Sequence, residues 1–325
     1  MATPPRQVLP NQLFYVTART VTRSMRLRPD PRTVQTAAYC LAVVASRYRR
    51  LGKLVLHEFV FMSNHYHILG TDVAGCLPDF VRDLNALLSR ALNALRGLSG
   101  ANFEKGYGLV RVLSGEKALE HAAYTLANPV AAGLVARATD WPGLSSVAME
   151  YDTPLRVDRP AVGLWSGQVA HVTRRSSRSS NRAVHACRTR LPEHAELVID
   201  RPDVLPELTD AELRAEVKRR LAMRERESAR ERRRRRRKVL GARKAARVHY
   251  LAVPGREELF VRNPTFSGVV DEARRAMAAA VKAFRRAYRI ASRRFREGVR
   301  DVLFPAGTWL YRVRYQARCE AAAPP

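Results

Sequence analysis

Long apolar runs are missing from this chain. No stretch of about 18 uninterrupted apolar residues occurs in its 325 residues, so a membrane-spanning helix is not expected. The opening residues, "MATPPRQVLPNQLFYV", lack the apolar core of a secretory signal. Internal repeats are absent as well. Cysteine is sparse: Cys40, Cys76, Cys187 and Cys319 stand far apart, with neither the paired spacing of a zinc knuckle nor the density of a disulfide framework. A reducing cytoplasm, in company with the nucleoid, is the expected setting. The other deficit is acidic charge. Against 58 Lys and Arg there are only 30 Asp and Glu, giving a net charge of +28 and a sequence pI near 11.1. Such an imbalance describes partners rather than fold, and it points to nucleic acid ahead of a membrane surface.

What is present is enough to fold. Hydrophobic residues make up 46% of the chain, and the length suffices for two domains or for one domain with a long appendage. The charge is unevenly spread. Residues 201–325 carry 33 basic and 15 acidic residues, and residues 1–200 carry 25 and 15.

Periodicity orders the first 150 residues. "LFYVTART" (13–20) alternates and is rich in aromatic and β-branched residues, a strand signal. Residues 31–52 have helical spacing, with Gly52 as a stop. "KLVLHEFVFMS" (53–63) and "HYHILGT" (65–71) read as a hairpin about Ser63-Asn64. Residues 77–97 form an amphipathic helix, 108–113 a short strand, and 115–135 a helix with an internal Asn-Pro. Strand–helix–strand–strand–helix–strand–helix describes an α+β domain, a small antiparallel sheet backed by helices, over 1–150.

The remainder reads differently. Residues 151–207 are expected to be an irregular extension, including the Ser/Arg-rich linker "RRSSRSSNRAVHACRTR" (174–190). Residues 208–325 are expected to be basic and mostly helical. A charged helix over 208–238 starts at a Thr209/Glu212 capping box and carries a thin apolar stripe, Leu213, Val217 and Leu221. Its end holds six arginines, Arg232, Arg233, Arg234, Arg235, Arg236 and Arg237: either a clamp for phosphates or a solvated tail. A second helix, 269–296, has one apolar face running from Ala273 to Phe295. "VLFPAGTWLYRV" (302–313) reads as a turn and a short strand. Tyr288 and Trp309 could stack on bases, with core packing the plainer role.

Two histidines, His65 and His67, stand two apart in an apolar strand, so their imidazoles share one face. Neutral imidazole is a common ligand for divalent cations, although such pairs also arise by chance. The helix over 115–135 carries Tyr124 and Asn128 at i and i+4, on one face. A core tyrosine, and an asparagine easing the helix past Pro129, are the plain alternatives. His121, one turn earlier, reads as an exposed helix residue.

"FMSNHYHIL", then "YTLANPVAAGLV" and "DWPGLSS", together resemble the REP-associated tyrosine transposases, which belong to the single-tyrosine HUH transposases of the insertion-sequence class. "FYVTART" resembles that family's first strand. The likeness covers roughly residues 10–150. It departs at "ANFEKGYGLVRV", where family members often have a tryptophan-containing loop, and the C-terminal half has no counterpart in the short members. The resemblance implies a ferredoxin-like fold and transesterification on single-stranded or hairpin DNA, by a monomer or a homodimer. Tyr124 would be the nucleophile, forming a 5′-phosphotyrosine, and His65, His67 and Asn128 would hold Mg²⁺ or Mn²⁺. The alternative is a relative that binds nucleic acid without turning over.

Overall fold

The computed structural model describes residues 5–162, 191–255 and 264–322. The linker expected at 174–190, with Cys187, lies outside the described residues. The first elements are β1 (Gln12–Arg19), α1 (Pro31–Arg50), β2 (Leu54–Phe61), β3 (His65–Asp72), α2 (Leu77–Arg96), β4 (Gly108–Val112) and α3 (Gly115–Ala131). They match the expected order. Asp30 caps α1 by accepting from the Thr33 amide, with Pro31 at the first helical position. Asp72 ends β3 by accepting from the amides of Cys76 (2.7 Å) and Leu77 (2.9 Å), which fixes the start of α2. Gly97, in the left-handed conformation, closes it.

The sheet order is β2-β3-β1-β4, every neighbour antiparallel, and a short β7 (Phe266–Ser267) adds to β4 in parallel. The fold is therefore α+β with a mixed sheet. Adjacent residues of β3 show its two faces. The Tyr66 hydroxyl donates to Asn85 of α2, whereas the ring of His67 meets Tyr124 of α3. Helices α1 and α2 cover one face and α3 the other. Gly70 is required where β3 crosses between its neighbours: a Cβ there would lie 2.5 Å from the Val55 carbonyl oxygen and 2.7 Å from the Phe14 ring.

The following segments extend this core. Within the stretch expected to be irregular, β5 (Leu155–Asp158) and β6 (His194–Leu197) pair antiparallel, and Leu197 and Ile199 are buried in the main core. The charged helix is α4 (Asp210–Arg234), started by the Thr209/Glu212 capping box. Leu213, Val217 and Leu221 are all buried in the same core. The helix stops at Arg234 rather than 238, with Arg236 at φ 51°. Six consecutive guanidinia repel one another at i, i+3 and i+4, so the last turns of the expected helix lose more than they gain.

A short α5 (Ala242–Arg247) precedes α6 (Asp271–Arg296). The apolar face of α6 is buried from its middle onward, at Phe284, Ala291 and Phe295, the last two joining Val302 and Phe304 in a second, smaller core. The strand expected at 302–313 is replaced by α7 (Leu310–Tyr315). The chain reverses at Gly307, φ 84°, and helical spacing then puts Tyr311 and Tyr315 together against Phe295. Tyr288 packs in this aromatic cluster, and Trp309 donates to Asp79, 3.0 Å away. Tyr288 thus follows the plainer role, packed against the second core, whereas Trp309 is half-buried and belongs to neither core.

Candidate active site

The register of β1 against β3 builds the floor of the site. Thr17 stands opposite His67 and Arg19 opposite His65, and Tyr15 shares their face two residues earlier on β1. The His65 and His67 rings lie 4.7 Å apart, edge to face. Hydrogen bonds orient each ring. Asn64 donates through Nδ2 to the Arg23 carbonyl, which turns its Oδ1 toward His65 Nδ1, 2.7 Å away. His65 therefore carries its proton on Nδ1 and keeps a lone pair on Nε2. His67 Nδ1 lies 2.6 Å from the Tyr15 hydroxyl and 2.9 Å from Thr17 Oγ1. Either hydroxyl oxygen can accept a proton held on Nδ1, which again leaves Nε2 as a ligand atom. Among the described residues, neither Nε2 has a hydrogen-bond partner.

Burial keeps both imidazoles neutral. It pushes His65 down to about 4, helped by the Arg19 charge, and drives His67 well below the ordinary histidine range, helped by His65. Burial also raises the Tyr15 phenol, with Tyr124 adding to the effect. Tyr15 is thus a neutral hub. Its ring stacks on His67 at 5.3 Å and meets His121 at 4.9 Å and Tyr124 at 6.0 Å. Contrary to the sequence expectation, His121 is half-buried against this hub, and burial lowers it to about 4.

Helix α3 forms the roof. Tyr124 is 40% exposed, a high value for a tyrosine beside a sheet, and its ring stands edge-on to His67 at 6.2 Å. Asn128 resolves the Asn-Pro problem. Pro129 lacks the amide that would bond the Thr125 carbonyl; Asn128 Nδ2 donates to that carbonyl at 3.3 Å and to the Tyr124 carbonyl at 2.9 Å. With Nδ2 so occupied, Oδ1 is the atom left for other partners. The structural role of Asn128 and a ligand role use different atoms of one amide. Two neutral imidazoles and an amide oxygen fit a divalent cation that keeps open positions. Among the described residues, no group of three or more His, Cys, Asp or Glu could hold a metal by itself.

Helix α4 supplies the wall that the sequence expectation left detached. It runs beside α3 in the same direction. Arg220 makes a two-pronged ion pair with Glu116 (2.7 and 2.9 Å), Arg224 lies over the Tyr124 ring at 5.5 Å, and Arg232 donates to the Val130 carbonyl at 3.2 Å. Between the two helices opens a cleft of about 690 Å³ lined by Tyr124, Arg224, Arg230, Arg232, Arg234, Arg235, Arg237 and Lys238, with Glu227 and Glu231 as its acidic members. Four of the six arginines singled out in the run thus share a cleft with Tyr124; Arg233 and Arg236 do not line it. Sequence reasoning missed Tyr15, Thr17 and Arg224. The alternation of "FYVT" places Tyr15 and Thr17 on one face, but only the register says which face. Arg224 has no local signal among so many arginines.

Solved structures are similar to this chain, among them the following two. A REP-associated tyrosine transposase bound to a REP hairpin is 18% identical, covering 50% of this chain and 97% of that one, with a TM-score of 0.38. A Deinococcus radiodurans R1 protein described as a candidate transposase is 17% identical, covering 38% of this chain and 95% of that one, with a TM-score of 0.26. No family model and no curated protein matches the chain. Among the described residues, no helix is long and apolar enough to cross a membrane.

Proposed function

We propose that this protein is a metal-dependent transposase or nickase for single-stranded DNA that cuts and rejoins hairpin-forming DNA through a 5′-phosphotyrosine. The observation that carries the reading is the position of Tyr124. Its exposed phenol stands where the His65/His67 face meets a cleft lined by arginines.

The residues divide the work. Tyr124 Oη attacks the scissile phosphorus in line, the bond from phosphorus to the 3′-oxygen breaks, the phenol gives up one proton and the departing oxygen takes one. The phosphodiester is exchanged rather than hydrolysed, so a 3′-hydroxyl can reverse the step without a nucleotide cofactor. His65 and His67, through Nε2, and Asn128, through Oδ1, would hold Mg²⁺ or Mn²⁺, whose charge would be supplied to a phosphate oxygen. In that role Tyr15 and Thr17 would accept the His67 Nδ1 proton, as Asn64 accepts that of His65. A set without thiolate and with an amide oxygen does not match structural zinc. The arginines of the cleft would hold the strand by its phosphates, which supplies affinity and register without reading sequence.

Incubation with Mn²⁺ and hairpin oligonucleotides carrying single-stranded flanks tests the reading. The expected result is an SDS-resistant protein–DNA band that Tyr124→Phe abolishes and His67→Ala strongly reduces. Cleavage without a band would mean water is the nucleophile. Salt-sensitive binding with neither cleavage nor band would mean a relative that only binds.

A further inference from the structure

The histidine face leaves one charge unexplained. Arg224 lies over the Tyr124 ring, 5.5 Å from guanidinium carbon to centroid, and lines the same cleft. It is half-buried, yet among the described residues it has neither a carboxylate nor a hydrogen-bond acceptor as partner. Its helical neighbours are engaged otherwise: Arg219 and Arg220 pair with Glu216 at 2.6 Å, Arg220 also with Glu116, and Arg234 with Glu231. The contact with the ring is a weak one at an accessible site. A guanidinium parked there would exchange the ring for a phosphate oxygen, which matches its planar fork.

The position of Arg224 is fixed from both sides. One end of α4 is locked by Arg214, buried in an ion pair with Glu58 and donating to the Ser146 carbonyl at 2.8 Å; the other is tied to α3 by Arg232. A side chain anchored in this way arrives at Tyr124 at little cost in reorganisation.

We infer that Arg224 is a further catalytic residue that grips the non-bridging oxygens of the scissile phosphate while Tyr124 Oη bonds to phosphorus, so that the segment beyond residue 208 completes the active site. This rests on the strand-transfer reading above. As Oη bonds to phosphorus, the bond to the 3′-oxygen breaks; the phenol proton passes to solvent and the 3′-oxygen takes one back. Arg224 gains or loses no bond and serves by its charge.

The test separates binding from chemistry. Arg224→Ala, Arg224→Gln and Arg224→Lys are compared with the wild type and with Arg226→Ala, an exposed neighbour. Single-turnover adduct formation is followed with Mn²⁺ and saturating hairpin oligonucleotide, and hairpin affinity by fluorescence anisotropy at fixed salt. The expected result is a loss of about 100-fold or more in adduct rate for Ala and Gln, a change of no more than a few-fold in affinity, partial recovery with Lys, and wild-type behaviour of Arg226→Ala. Unchanged rates in Ala and Gln, or a fall in affinity that accounts for the whole loss of rate, would overturn the inference while leaving the strand-transfer reading intact. If the wild type forms no adduct at all, that reading fails and the inference fails with it.

Discussion

Tyr15 decides what His67 can do. With its hydroxyl 2.6 Å from Nδ1 and Thr17 Oγ1 at 2.9 Å, the imidazole is turned and its Nε2 presented. Loss of such a supporting partner commonly weakens metal binding by about 10–100-fold. Tyr15→Phe, with Thr17 still in place, is expected at the low end, roughly 10-fold weaker for Mn²⁺, and Tyr15→Phe/Thr17→Val weaker still. Electron paramagnetic resonance titration of Mn²⁺ reads this without turnover. Asn128 makes a second prediction. In Asn128→Ala the Thr125 carbonyl loses the donor that replaces the missing Pro129 amide, and a lost hydrogen bond of this kind costs about 1 kcal/mol. Urea unfolding without metal should show it. At this scale the sequence was informative only where spacing is local. His65 with His67, and Tyr124 with Asn128, are two and four residues apart and could be read. Tyr15 and Thr17 act on a histidine some fifty residues away, a relation set by strand register.

The elements obey the same division. Each of the first seven was visible, because alternation and stops are carried by neighbouring residues, as with Gly52 after α1 and Gly97 after α2. Helix α4 was visible too, from its capping box and stripe. Its destination was not. Leu213, Val217 and Leu221 say that a face is covered, not by what. The answer is the bond between Arg214 and Glu58, 156 residues apart, with Ser146 donating to the same carboxylate at 2.5 Å. Burial raises the Glu58 carboxyl to about 7, against the pull of Arg214 and Ser146. Removing one partner of a buried pair leaves the other uncompensated, at roughly 3–5 kcal/mol. Arg214→Ala is therefore expected to lose that much stability in urea and to loosen α4, whereas Arg214→Met with Glu58→Leu should recover much of it. A change below about 1 kcal/mol in Arg214→Ala would mean that α4 is held by its apolar stripe alone.

Across the whole molecule, charge and protonation set the working range. His57 sits at a bulge in β2, its Nδ1 2.6 Å from the Asp200 carbonyl oxygen and its Nε2 2.8 Å from Thr71 Oγ1. Burial lowers it to about 4, against the Asp200 contacts. The unfolded chain protonates this histidine near 6.5 and the folded chain does not, so stability is full above that value and falls as pH drops toward 4, by about 3 kcal/mol at most. Urea midpoints measured from pH 7 to 5 should decline, less steeply in His57→Gln. The arginine cleft makes hairpin affinity depend on salt, and replacing Arg234, Arg235 and Arg237 by Gln should shallow the slope of log affinity against log salt by about 2–3. The most direct measurement is the place of the covalent bond. Trypsin releases residues 118–137 as "ALEHAAYTLANPVAAGLVAR", in which Tyr124 is the sole tyrosine. After reaction with Mn²⁺ and a hairpin oligonucleotide followed by nuclease trimming, mass spectrometry should find a nucleotide 5′-phosphate on this peptide. Finding it on another peptide, or finding cleaved DNA with every peptide unmodified, would contradict the account.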